Sequence, residues 1–235
     1  MSKTGLKPAR YRHLAFSGFF MAVSKRCQKH VLQYHRRRLG LTQPQLAARA
    51  GFSERVIRKA EAGGSVRQTT LDVLAQALST PQCSVSAQEL CSEPLDVVQA
   101  FNNLYFRHRE ACLDHVRPFL ADDYVLVIHG DREDMPLAGE WRGTDGFADM
   151  LRLAYELLEP LEERVERWFV SGNRVASLRV GKSRVRRAPP GTVLDTWMFN
   201  ESVVEAGQIT RCDTYVDSLV WQRSLKWGGP SPQQA

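Results

Sequence analysis

LTQPQLAARAGFSERVIRKAEAG, residues 41–63, decides the fold of the first part of the chain. Thr42 is a good N-cap, and Gln45 three residues on completes a capping box. Leu41 before the cap and Leu46 at the fourth helical position form a hydrophobic staple. Pro44 lies in the first turn, where its missing N–H costs little. A helix therefore starts at Gln43 and reads QPQLAARA until Gly51, a residue suited to the left-handed conformation at a helix end. Ser53 is the next N-cap, and Phe52 with Ile57 repeats the staple. The second helix reads ERVIRKAEA, and Gly63-Gly64 stops it.

Further helices flank this pair. Upstream, VLQYHRRRL at 31–39 ends with Arg36, Arg37 and Arg38, cations that suit a helix C-terminus, and Gly40 breaks it. Downstream, TTLDVLAQAL carries Leu71, Leu74, Ala75 and Leu78 at helical spacing. Helices this short are marginal alone and must share a core.

Residues 31–79 thus resemble the lambda-repressor-like (Cro/CI, XRE) helix-turn-helix. Ala47 is small where the two motif helices approach, Gly51 stands at the tight turn, and Ile57 plugs the core. The resemblance implies that the helix beginning at Glu54 enters the major groove. It would present Glu54, Arg55 and, one turn on, Lys59 to base edges. Arg or Lys suits guanine and Glu suits cytosine, so a G·C-containing half-site is expected. Thr42, Gln43, Ser53 and Arg58 complete the expected DNA-contacting set, Gln43 and Arg58 as phosphate holders that set register.

Charge agrees with that partner. Residues 1–92 carry 15 Lys and Arg against 4 Asp and Glu, while residues 93–235 carry 17 against 22. A basic part beside a mildly acidic one points to two domains, the first facing nucleic acid. The 235 residues are 43% hydrophobic and 25% charged, which excludes disorder throughout. No apolar run approaches a membrane-spanning length, so no membrane partner is expected. Five Cys without a CxxC argue against a secreted disulfide scaffold and for the cytoplasm. His108 and His115 lack Cys partners at metal spacing, so no metal is expected, and without a Gly-rich phosphate loop no other cofactor is expected. The apolar stretch LAFSGFFMAV at 14–23 faintly resembles a signal peptide but has no cleavage site.

The expected domain order follows. Residues 1–24 are read as a poorly ordered extension, 25–80 as the helix-turn-helix domain and 81–94 as a linker rich in Ser, Gln and Pro. A second domain covers 95–222, and 223–235 are a flexible tail.

The second domain begins with two amphipathic helices, 95–107 and 109–120, and a strand at 124–130. After a loop, Thr144 caps a third helix striped by Phe147, Leu151, Ala154 and Leu158. Four strands follow, at 163–171, 174–187, 192–204 and 208–218, separated by turn signals such as Gly172-Asn173. Three helices followed by a meander make an α+β fold. The strings ADDYVLVIHG, GEWRGTDGFADML, VSGNRVASLRV and GQITRCDTYVDSL resemble the SnoaL-like (polyketide-cyclase-like) members of the nuclear transport factor 2-like superfamily. The expected fold class is multidomain: an all-α helix-turn-helix domain followed by an α+β cone of three helices on a curved antiparallel sheet.

The resemblance implies a pocket between sheet and helices and dimerisation through the sheet. Alternation places Asp213, Tyr215 and Asp217 on one face of the last strand and Cys212, Thr214 and Val216 on the other. The first set is expected in the pocket, Asp217 standing where relatives carry an acidic residue and cyclases use a carboxylate. Arg179 is expected to pair there with an acidic ligand or an Asp, and Trp141 and Trp197 to supply aromatic walls. Where relatives often carry Glu-His-Trp, this chain has Arg211, Cys212 and Asp213, which weakens transfer of any specific reaction. The expected function is a sequence-specific DNA-binding transcriptional regulator, a homodimer whose second domain senses a small, partly apolar ligand. The rival readings are a polyketide-cyclase or isomerase-type enzyme using carboxylate acid–base chemistry, and a dimerisation module with a filled core.

Overall fold

A computed structural model describes residues 24–186 and 188–225. Of the extension expected over 1–24 only Ser24 is described, and it opens a short strand; of the tail expected over 223–235 only 223–225 are described, and they close a helix; the remainder of both lies outside the described residues.

The N-terminal lobe holds α1 (Lys29–Arg38), α2 (Gln43–Ala50), α3 (Glu54–Glu61) and α4 (Gln68–Leu78). The capping box at Thr42 forms as expected: its hydroxyl accepts from the Gln45 N–H at 3.3 Å, and the Gln45 side chain accepts from the Thr42 N–H at 2.8 Å. Gly51 has φ +69° with open space around it, so conformation and not crowding demands glycine there. Ser53 holds the extended N-cap geometry of α3, but its side chain makes no capping bond. The two short strands β1 (Ser24–Arg26) and β2 (Ser65–Arg67), absent from the sequence reading, pair antiparallel. Val31, Leu32, Leu46, Ile57, Leu71, Leu74 and Leu78 are fully buried between the helices. Each such side chain contributes about 1.5–3 kcal/mol of burial energy.

The segment read as a linker is packed structure. Val85, Leu90 and Cys91 are buried, the Gln28 N–H donates to the Leu90 carbonyl at 2.8 Å, and the Ser92 N–H donates to Arg26 at 3.0 Å. Polar composition without a helical stripe hides this, because the buried positions are too few to make a period.

The C-terminal lobe opens with α5 (Pro94–His108). The helix expected over 109–120 is broken instead: Arg109 takes φ +53°, and short 3-10 turns flank α6 (Leu113–Val116). Then come β3 (Leu120–His129), β4 (Gly139–Arg142), α7 (Gly143–Leu157), β5 (Leu158–Ser171), β6 (Arg174–Val185), β7 (Val193–Glu205), β8 (Gln208–Val216) and α8 (Ser218–Leu225). Arg142 and not Thr144 stands at the N-cap of α7, and Leu158 opens β5. Sequence reading missed β4, folded into a presumed loop, and α8, which includes the first residues of the expected tail. The sheet order is β4-β3-β8-β7-β6-β5, with β3 parallel to β8 and every other pair antiparallel. A helical lobe followed by an α+β lobe is the expected fold class.

The lobes touch directly. Lys25 Nζ lies 2.6 Å from Asp96 on α5, and the Tyr34 hydroxyl donates to the Asp114 carbonyl at 2.8 Å. Gln28, fully buried, packs on Gly207 in the β7–β8 turn, where a Cβ would come within 2.7 Å of its Oε1.

Candidate functional site

Two surfaces carry chemistry. The first is α3. Glu61 at its end is 5% exposed and accepts from Arg36 Nε at 2.5 Å and from Gln43 Nε2 at 2.8 Å. Its carbonyl accepts from Gln33. One buried carboxylate thus braces α1 and α2 against α3. Gln43, expected on phosphate, spends its amide on this brace. On the outer side Glu54 and Arg58 form a pair one turn apart. Arg55 and Lys59 are exposed and make no ion pair or hydrogen bond among the described residues. Thr42 and Ser53 are exposed at the starts of α2 and α3.

The second is a cavity of about 160 Å³ between α5, α7, α8 and the inner face of the sheet. A volume of this order matches a cavity that holds one benzene. Phe101, Leu126, Ile128, Met150 and Leu194 give it apolar walls, and Glu163 and Arg179 are its charged groups. Arg179 donates to Glu163 Oε1 at 3.2 Å, and Arg109 donates to Oε2 of the same carboxylate. The Arg179 guanidinium also lies over the Tyr105 and Phe106 rings, 5.4 and 4.8 Å from their centroids. Burial, with Glu163 adding to it, pushes the Tyr105 hydroxyl far up and that of Tyr155 up to about 12, so both stay protonated.

Of the six residues expected in the pocket, Arg179 alone lines it. The alternation along β8 is as read, but the inner face carries Cys212, Thr214 and Val216. Asp213 and Tyr215 point outward, where Asp213 meets His129 Nε2 at 2.9 Å and Arg211 Nε at 2.6 Å. Arg211 first, then His129, holds that carboxyl below its usual range. Asp217 lies past the strand, and its Oδ1 accepts from the Leu219 and Val220 N–H groups, starting α8. Trp141 sits on the edge strand β4 with its indole N–H on the Leu137 carbonyl and Arg132 over its ring. Trp197 is 56% exposed on the outer face, near Phe199 and Tyr215, themselves 40% and 44% exposed. Sequence reading missed Glu163, Asn200, Tyr155 and Trp221. For Asn200 a signal existed: Thr196, Met198, Asn200 and Ser202 alternate with exposed aromatic and acidic neighbours.

Residues 97–212 match the model of the SnoaL-like domain, and residues 32–81 match that of the helix-turn-helix. The chain joins a helix-turn-helix domain to a SnoaL-like domain. An NTF2-like protein from Burkholderia thailandensis superposes with TM-score 0.50 at 18% identity, covering 57% of this chain and 97% of that one. For an NTF2-like protein from Burkholderia xenovorans the values are 0.48, 22%, 56% and 94%. An LEH-like epoxide hydrolase of M. tuberculosis gives 0.43, 22%, 56% and 88%. At 18% identity the likeness to the Burkholderia thailandensis protein is one of fold alone. No curated protein matches the chain. Among the described residues, no helix is long and apolar enough to cross a membrane, and no cluster of three His, Cys, Asp or Glu gathers at metal distance.

Proposed function

We propose that the protein is a cytoplasmic, sequence-specific DNA-binding transcriptional regulator of the XRE kind whose SnoaL-like domain dimerises and senses a small, partly apolar molecule. The observation that carries the reading is α3: Arg55 and Lys59 stand exposed and unpaired on a helix braced from behind by Glu61. Arg55, Lys59 and Glu54 read base edges in a G·C-containing half-site. Thr42, Ser53 and Arg58 contact the backbone, with Gln43 joining them only by leaving Glu61.

The sensor reading rests on the apolar cavity and on α5, which lines it with Phe101, Asn102 and Tyr105 while Asp96 at its start holds Lys25 of the DNA-binding lobe. A ligand that prefers one placement of α5 changes the placement of α3 to the extent of that preference. The exposed aromatics Trp197, Phe199 and Tyr215 on the outer sheet face form the dimer surface. Two α3 helices about one DNA turn apart then read a palindrome. Catalysis by Glu163 is disfavoured, since both its oxygens already accept from guanidinium groups.

The test is Arg55→Ala in a binding assay against operator and mutated operator. The reading expects discrimination at one base pair to fall by about 1–3 kcal/mol. Unchanged base preference would remove α3 from the reading role.

A further inference from the structure

The cavity wall leaves N–H groups unmet, and their chemistry selects a ligand. Among the described residues, Arg179 Nε, Asn200 Nδ2 and Trp221 Nε1 are buried without a hydrogen-bond partner, and all three residues line the cavity. Asn200 uses its Oδ1 to accept from Thr214 at 2.8 Å, so what it has left is donors. Arg179 engages Glu163 through a terminal nitrogen and keeps Nε free. An indole nitrogen only donates. The Tyr155 hydroxyl on the same wall can donate as well as accept, so it does not set the polarity of the ligand.

Each buried donor left alone costs about 1–3 kcal/mol, and native folds keep such groups where something else completes them. Arg179 pairs with Met198 across β6 and β7, which makes Asn200 its diagonal neighbour on the inner face. Arg109, Glu163 and Arg179 together carry one unit of positive charge, so an anionic oxygen is tolerated beside them as well as a neutral one.

We propose that the ligand is an apolar molecule about one six-membered ring in size that bears a carbonyl or carboxylate oxygen, which accepts from the unpaired donors of Arg179, Asn200 and Trp221. The proposal rests on the sensor reading of this cavity and goes beyond it by naming the ligand class.

The test uses the full chain, with the Trp221 indole N–H followed by NMR and assigned through Trp221→Phe. Methylcyclohexane, cyclohexanone and cyclohexanecarboxylate are titrated in parallel. Expected is a shift of the Trp221 signal, with at least one oxygen-bearing ring binding at least about tenfold tighter than methylcyclohexane. Cyclohexanone in the lead identifies a neutral carbonyl, and cyclohexanecarboxylate in the lead identifies an anion. Asn200→Asp, which removes donors at nearly constant shape, weakens cyclohexanone about tenfold and leaves methylcyclohexane unchanged. Equal binding of all three rings with the Trp221 shift intact overturns the ligand class and spares the cavity as a binding site. No shift with any ring overturns both.

Discussion

Glu61→Ala tests how the DNA-binding lobe is braced. The substitution removes a carboxylate whose side chain is 3% exposed from Arg36, whose side chain is 12% exposed. Arg36 keeps its hydrogen bond to the Leu41 carbonyl and loses both bonds to the carboxylate, and Gln43 loses its acceptor. Removing one member of a buried pair costs about 3–5 kcal/mol, because the other charge stays behind. The residual exposure of Arg36 places this case near about 3 kcal/mol. With a urea m-value of about 2 kcal/mol/M, the unfolding midpoint drops by about 1.5 M. Far-UV circular dichroism is the proper probe, since all five tryptophans lie between residues 141 and 227, outside this lobe. The double variant Arg36→Met/Glu61→Leu removes both charges and returns to within about 1 kcal/mol of the parent. A single-variant cost below about 1 kcal/mol, or a double variant as unstable as the single, would refute the brace.

Acid sensitivity has a specific source. Burial, then Arg38 and His115, pushes the His35 imidazole down to about 3, below its usual 6.5. The unfolded chain then binds more protons between those values, so stability is complete above pH 6.5 and drains as pH falls towards 3. Urea titrations at pH 7 and 5.5 should differ by about 1 kcal/mol, and His35→Gln should flatten the difference. Glu89, 3.8 Å from His35 and pushed upward by its own burial, works in the opposite sense, so the same pair of titrations on Glu89→Gln isolates the His35 contribution. On the outer sheet face, Trp197→Glu should convert the proposed dimer to monomers in sedimentation at micromolar concentration without changing the monomer's stability beyond about 0.5 kcal/mol. An unchanged mass would remove that face as the dimer surface.

The helix-turn-helix could be read closely because local chemistry sets its punctuation. A capping box fixes the first residue of α2, and a glycine with positive φ fixes its last. The cone was readable as an order of elements but not as a site. Alternation along β8 divides its residues into two sets and is symmetric about which set faces inward. Relative polarity breaks the tie: Cys212, Thr214 and Val216 cost less to bury than Asp213 and Tyr215, and they are the inner set. Asp217 escapes that logic altogether, because the strand ends at Val216 and the side chain caps α8 instead. Glu163 was hidden in the charged run of β5, where only the partners Arg109 and Arg179, 54 and 16 residues away, distinguish it from solvated neighbours.

The central claim is operator-specific DNA binding, and fluorescence anisotropy of the purified full chain tests it most directly. Its own promoter fragment and a shuffled fragment of equal length are titrated at several salt concentrations. The account predicts roughly thousand-fold preference for the promoter. Equal and steeply salt-dependent binding to genomic and shuffled fragments alike would reduce the interaction to charge attraction and contradict it.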